Sequence, residues 1–283
     1  MMLKIAGVVV LYNPDDNVGK NIASYLNNID RLYVIDNSRH KNDNLLQNIY
    51  KIKYIFNNKN LGIATALNIG AKEAIKDGYD FLLTMDQDSK FSSNNLDNMI
   101  LWLSKNMSDD IGLISPRHII NVEQQEPKKD IEYPLTVMTS GNIINLKAYE
   151  KIGGYKDFLF IDSVDFEYCL NLIDHNYKVI QLNKIELKHE LGNIKTEKFL
   201  WRNITHSNHN YIRRYYITRN SLYVGKKYKD KYPKFYKQVK REIGRDIIKI
   251  ILLEKDKYKK LKNMIRGYID FKKEIKGEYK YNN

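Results

Sequence analysis

The chain has one cysteine, Cys169, in 283 residues, so neither a disulfide framework nor a cysteine-rich zinc site is available to it. A reducing compartment suits such usage. Five prolines and no serine- or glycine-rich stretch leave no flexible linker, and no internal repeat is present. No run approaches the roughly 18 consecutive apolar residues of a membrane span. Lys4 passes directly into a short strand-like run, which is not the pattern of a signal peptide. What remains is an ordinary globular balance, 43% apolar and 29% charged, with ample length for a core.

Positive charge is abundant but unevenly placed. Residues 226–283 hold 20 Lys/Arg against 8 Asp/Glu, a balance of +12 out of +13 for the chain, so residues 1–225 are near neutral. This step near residue 225 predicts two regions, a body over 1–225 and a basic tail over 226–283. In the tail, Phe235, Val239, Ile243, Ile247 and Ile250–Leu253 recur at helical spacing. Tyr258, Leu261, Ile265, Ile269 and Phe271 repeat the theme. Basic amphipathic helices of this kind suit an anionic membrane surface, a hairpin packed on the body, or an RNA-binding tail. The near-neutral body argues against a nucleic-acid-binding module.

Within the body, apolar runs at 5–11, 32–35, 52–56 and 81–85 read as strands, and the periodic stretches 18–29 and 63–75 read as helices. Strands alternating with helices predict an α/β fold with a mostly parallel sheet flanked by helices. Ligands of such sheets bind beyond the carboxyl ends of the strands, where Asp36, Asn60, Asp86 and Asp88 fall. Asp86-Gln87-Asp88 stands out. Two carboxylates at i and i+2 after a buried strand project to one side and make a hard-oxygen site for Mg²⁺ or Mn²⁺.

Eight motifs in order carry a resemblance. They are Val10-Leu11-Tyr12-Asn13-Pro14, Ile35-Asp36-Asn37-Ser38, Asn60-Leu61-Gly62-Ile63-Ala64-x-Ala66-x-Asn68-x-Gly70, Asp86-Gln87-Asp88-Ser89, Thr139-Ser140-Gly141, Phe160-Ile161-Asp162-x-Val164-Asp165-x-Glu167, His189-x-Leu191-Gly192, and Arg214-Tyr215-Tyr216-x-x-Arg219-Asn220. Together they resemble the inverting family 2 glycosyltransferases of the GT-A fold, Rossmann-like in design, and in particular their bacterial rhamnosyltransferase branch. The match covers roughly residues 3–225.

The resemblance implies a nucleotide-diphosphate sugar donor, with dTDP-rhamnose favoured, and a saccharide acceptor carried on a polyprenyl lipid for cell-surface polysaccharide. It implies a cytoplasmic protein, peripheral at the inner face of the cell membrane. Leu11, Tyr12 and Asn13 would line the base pocket, and Asp36 would accept from the base N–H. Asn60 and Gly62 would approach ribose and diphosphate, with Ser140 and Gly141 in the turn under donor sugar and acceptor. Asp88 would be the direct metal ligand, Asp86 would sit nearer the ribose or reach the metal through water, and His189 would complete the shell. Arg214 and Arg219, like Arg213, have the planar fork suited to phosphate.

Inversion by direct displacement needs one carboxylate to take the acceptor proton. The family commonly has adjacent acids here, and this chain has Ser163 in the second place. Asp162 and Asp165 remain the candidates, Asp162 leading. The other would cap the helix that follows, read as running through Leu172. Glu167 would support the site. A nucleotidyltransferase, the other nucleotide-gripping enzyme weighed, needs a Gly-rich basic loop after the first strand. Leu11 to Asp16 offers none.

Overall fold

A computed structural model gives the fold and describes residues 3–47, 49–92, 94–119, 126–189, 195–199 and 202–281, with the side chains of 189, 195–199 and 202–206 excepted. The chain divides into two compact units. The first takes 1–157 and 165–190, and the second takes 158–164 and 191–283.

The first unit opens with strand β1 (Ile5–Leu11), whose seven residues are all buried. Helix α1 (Val18–Ala23) follows, then β2 (Arg31–Asp36), β3 (Ile52–Phe56), α2 (Ile63–Lys76) and β4 (Phe81–Asp86). Next are β5 (Ser89–Phe91), α3 (Asn95–Lys105), β6 (Ile111–Ile119), β7 (Ile131–Glu132), β8 (Asn142–Asn145), α4 (Leu146–Ile152), α5 (Val164–Asp174) and β9 (Lys178–His189). Eight strands run in the order β3-β2-β1-β4-β8-β6-β9-β5, and β7 joins at β9.

Strands β3, β2, β1 and β4 are mutually parallel, as their continuous apolar runs predict. The antiparallel β8 lies between β4 and β6, and β6 is parallel to β9. The mostly parallel sheet flanked by helices is therefore borne out. Its core is built from Val9, Leu11, Leu32, Val34, Leu83 and Met85 with the apolar faces of the covering helices. Helix α1 is shorter than its periodicity predicts. It stops at Ala23, and a 3₁₀ turn at Leu26–Asn28 buries Leu26 instead.

The second unit contains a hairpin of β10 (Lys195–Phe199) and β11 (Arg202–His206), followed by α6 (Tyr211–Lys227), α7 (Pro233–Leu252) and α8 (Lys257–Lys272). Both tail helices form where the apolar spacing placed them, and both pack on α6. Close approach of α8 is possible because residue 267 is glycine. A Cβ there would lie 2.6 Å from the Tyr215 carbonyl oxygen. No helix among the described residues is long and apolar enough to cross a membrane.

Candidate active site

In the first unit, parallel pairing aligns the ends of neighbouring strands. Leu11 lies opposite Asp36, and Val10 opposite Asp86, so the loops after β1, β2 and β4 emerge together. Side chains then tie these loops to one another. The Tyr12 N–H donates to Gln87 Oε1 at 2.8 Å, and Gln87 Nε2 donates back to the Tyr12 carbonyl at 3.3 Å. Asn21 Nδ2 donates to the Gln87 carbonyl at 2.9 Å, and the Asn13 N–H donates to Ser38 Oγ at 2.8 Å. The middle residue of Asp-Gln-Asp is thus a latch on the loop after β1. Leu11 is buried beneath it and Tyr12 is half exposed. A cavity of about 280 Å³ beside the latch is lined by Asn13, Asp15, Asn17, Asn21, Gln87 and Asp88.

Asp36 differs from expectation. It is fully buried, and both carboxylate oxygens are engaged. Oδ1 accepts from the Ser38 N–H at 2.8 Å. Oδ2 accepts from Tyr54 Oη at 2.5 Å, Asn42 Nδ2 at 2.9 Å and the Asn42 N–H at 3.1 Å. Three of those bonds crowd Oδ2 and one falls on Oδ1, and the Asn42 N–H is shared with Tyr54 Oη at 2.9 Å. Burial pushes its pKa up, but the bonds from Tyr54, Ser38 and Asn42 outweigh this and hold it below the ordinary value. In this geometry Asp36 organises the turn after β2, and the expected direct bond to a base N–H gains no support.

Asn60 and Gly62 stand at the entrance to α2. Asn60 Oδ1 accepts from the Gly62 N–H at 2.9 Å, and Asn37 Nδ2 donates to the Gly62 carbonyl at 3.1 Å. Ser140 is buried, and its Oγ accepts from the Asp86 N–H at 3.0 Å, fixing the exit of β4. Gly141 has φ +79°, and a Cβ there would meet Pro116 at 2.8 Å and Leu187 at 2.9 Å, so both conformation and space demand glycine. A polar cavity of about 510 Å³, lined by Arg117, His118, Glu132, Phe166, Gln181 and Asn183 among others, adjoins this turn. His118 Nε2 lies 2.7 Å from the Ser140 carbonyl oxygen.

Asp86 is half-buried at the end of β4 and Asp88 is exposed two residues on. Strand β5 pairs antiparallel with β9, with Ser89 opposite His189. The backbone of His189 is thereby brought beside the Asp-Gln-Asp turn, while its side chain lies outside the described residues. Among the described residues no three His, Cys, Asp or Glu side chains converge on a metal position. Two carboxylates and an imidazole on adjoining backbone fit a divalent cation in kind.

Asp162 belongs to the second unit and Asp165 to the first. Asp165 occupies the first turn of α5, and its Oδ1 accepts from the N–H of Phe166 at 2.9 Å. Asp162 sits in a contorted loop. Phe160, Asp162 and Ser163 all have φ between +62° and +64°, a left-handed conformation costing about 1–3 kcal/mol apiece for such residues. Asn220 of α6 holds that loop. Its Nδ2 donates to the carbonyls of Leu159 and Ile161, each at 2.7 Å, and of Asp162 at 3.2 Å. Phe160 stacks on Tyr216 with ring centroids 5.2 Å apart.

Asp162 Oδ1 accepts from Arg213 Nη2 at 3.2 Å and Nε at 3.3 Å, while Oδ2 is buried without a hydrogen-bond partner among the described residues. Burial raises the Asp162 pKa, and Arg213, its ion-pair partner, restrains the rise. A carboxylate in that state is a stronger base than an ordinary aspartate.

Arg214 and Arg219 also differ from expectation. Both are buried, Arg214 at 2% exposure. Arg214 donates to Asp246 at 2.7 Å and Glu254 at 2.5 Å. Arg219 donates to the carbonyls of Gly277 at 2.7 Å and Phe158 at 3.3 Å, and packs over Tyr215 and Tyr216. Both guanidinium groups are thus engaged within the helical unit in this structure, and the expected bidentate contact with phosphate gains no support from it. Gln87, Tyr54, Asn42 and Asn220 were not foreseen as organisers, because their partners lie elsewhere in the sequence.

Comparison with known proteins bears on the fold and the family. The chain is 26% identical to the dTDP-rhamnosyl transferase RfbF of Shigella flexneri, across the whole of both proteins. Its fold is similar to S. aureus TarS 1-349, with TM-score 0.61 and 12% identity over 95% of this chain and 81% of that one. It is also similar to GalNAc-T7 crystallised with UDP, GalNAc and Mn²⁺, with TM-score 0.56 and 14% identity over 70% of this chain. The match spans less than half of the GalNAc-T7 chain, 44%. The sequence profile of glycosyl transferase family 2 matches residues 8–164, from β1 to the first residue of α5, and the chain belongs to that family.

Proposed function

We propose that this glycosyltransferase moves rhamnose from dTDP-rhamnose, with inversion, to a hydroxyl of a saccharide carried on a polyprenyl lipid. Its setting is the cytoplasmic face of the cell membrane, in cell-surface polysaccharide assembly. The observation that carries the donor is the likeness to a dTDP-rhamnosyl transferase along the full length of both chains. Residues 1–225 carry the transferase, and 226–283 form a basic helical extension. A nucleotidyltransferase or a nucleic-acid-binding module has no comparable support once the family is known.

The nucleotide occupies the loops after β1, β2 and β4. Tyr12 and Asn13 offer the base their side chains and neighbouring backbone, in a loop fixed by Gln87 and braced by the turn around Asp36. Asn60 and Gly62 bring backbone close to ribose and diphosphate. Asp88, Asp86 and His189 are the residues to hold a divalent cation. When bound, such an ion offsets charge developing on the departing diphosphate. Asp162 takes the acceptor hydroxyl proton as its oxygen forms the bond to the anomeric carbon. The bond from that carbon to the diphosphate oxygen breaks on the opposite side, its electron pair leaving with the nucleotide. The raised Asp162 pKa supports it over Asp165 as that base. The polar cavity beside Ser140 suits a hydroxyl-rich acceptor.

A thermal-shift panel of nucleotide sugars with Mg²⁺ or Mn²⁺ tests the donor. A ligand bound only by the folded state raises the midpoint, and dTDP-rhamnose is expected to raise it most. A larger shift with a UDP- or GDP-sugar would overturn the rhamnose reading.

A further inference from the structure

We propose that the outer face of α7 and α8 is a docking surface for an anionic lipid bilayer, with isoleucines entering the interface and lysines meeting the headgroups. This deepens the membrane-side reading by naming the element and the lipid chemistry, and rests on it only for the presence of a membrane.

The face each helix turns to α6 mixes apolar residues such as Val239, Met264 and Phe271 with Asp246 and Asp270, and much apolar surface is left outside it. Ile248, Ile251 and Leu252 of α7 and Ile265, Tyr268 and Ile269 of α8 are exposed at between 41% and 60%. A groove of about 470 Å³ lies among Ile243, Ile247, Ile251, Leu261, Met264 and Ile265, with Thr218 and Leu222 of α6 also lining it. Scattered surface apolar residues need no explanation, but a contiguous patch around an apolar groove does.

Charge selects the occupant. Three of the tail's eight acidic groups are turned inward. Asp246 and Glu254 pair with Arg214, Glu254 also pairs with Lys260 at 2.8 Å, and Asp270 accepts from Tyr215 Oη at 2.6 Å. Meanwhile Lys255, Lys257, Lys259, Lys262 and Lys272 are exposed. The exposed residues of 226–283 comprise 17 Lys/Arg and 5 Asp/Glu, so the full +12 of the tail is carried on its surface. A second copy would bring like charge against like charge. A nucleic acid would satisfy the lysines and could stack on Tyr258 or Tyr268, but it would leave the groove's isoleucines and leucines in water. An anionic membrane meets both needs at once, in the manner of a helix lying in the interface.

The experiment uses the full chain with vesicles of phosphatidylcholine alone and of phosphatidylcholine mixed with phosphatidylglycerol, read by co-sedimentation. Binding is expected only with phosphatidylglycerol, and added salt should reduce it incompletely because insertion is not screened. Ile251→Ser with Ile265→Ser, and separately Lys255→Glu with Lys262→Glu, should each weaken partitioning by about tenfold or more. Both should leave the melting temperature and donor hydrolysis unchanged, which separates lost docking from misfolding. Equal binding to both vesicles, or to neither, overturns the proposal. So does concentration-dependent self-association abolished by the serine pair, or RNA binding that the serine pair does not alter. Failure here with a retained dTDP-rhamnose thermal shift removes the docking surface and leaves the transferase reading in place.

Discussion

At the scale of single residues, the distinction that matters is between side chains the fold has used up and side chains it has left for chemistry. Asp88 is exposed at the β4 end, so Asp88→Asn should nearly abolish transfer while the melting temperature stays within about 1 °C of wild type, a surface change of small stability effect. Metal-dependent turnover near the wild-type level in that variant would remove Asp88 from the metal site. Asp162→Asn should lower kcat by at least about 100-fold with donor affinity retained, and Asp165→Asn should act on turnover much less. The acid limb of the wild-type kcat/KM profile should also lie above the ordinary carboxylate range, because burial raises the Asp162 pKa and the base works only when deprotonated. If Asp165→Asn alone stops turnover, the base is Asp165. Residue type alone did not make this sorting legible. Asp36 looks the same in sequence whether it faces a ligand or Tyr54, 18 positions on, and Arg214 gives no sign of Glu254, 40 positions on.

Elements were more legible than contacts. The runs at 5–11 and 81–85 became buried parallel strands because uninterrupted β-branched and apolar residues satisfy a sheet covered on both faces. The stretch 18–29 was over-read, since Tyr25, Leu26 and Ile29 keep helical spacing and are buried, yet a 3₁₀ turn places them. Insertion of antiparallel β8 between β4 and β6 leaves no local trace, because pairing partners are chosen across the chain. The same scale yields a test at the α6–α8 crossing. Gly267→Ala gains about 1 kcal/mol of helix propensity. Its methyl would press on the Tyr215 carbonyl, backbone that cannot rotate away, at about 1–3 kcal/mol. Net destabilisation is expected in a denaturant titration. A more stable variant would show that the two helices separate easily.

For the molecule as a whole, pH acts on stability through groups that folding has shifted. Burial, with Arg213, Arg214 and Lys260 nearby, lowers the His209 pKa from 6.5 to about 3. Below pH 6.5 the unfolded chain takes up a proton that the folded chain refuses, so stability falls as pH drops from 6.5 toward about 3. The lowered Asp36 pKa acts in the same direction at lower pH, with stability lost as pH falls through its folded value. Asp162 and Asp246, both raised by burial, act oppositely and soften the loss between the ordinary and raised values. His209→Gln should flatten the slope of melting temperature against pH between about 6 and 4, a window set by histidine protonation. An unchanged slope would assign the acid sensitivity to carboxylates instead.

The grip of Asn220 on the carbonyls of Leu159, Ile161 and Asp162 has a consequence for how this protein can change. The shape of 159–162 is dictated from a helix about sixty positions downstream, not written in the loop's own letters. Ser163, buried with φ +62°, adds a contact of its own to the same helix, its Oγ lying 3.1 Å from Ser221 Oγ. Inheritance at this spot is split between two addresses: the loop carries Asp162 itself, whereas position 220 is where a single altered codon would disturb its presentation.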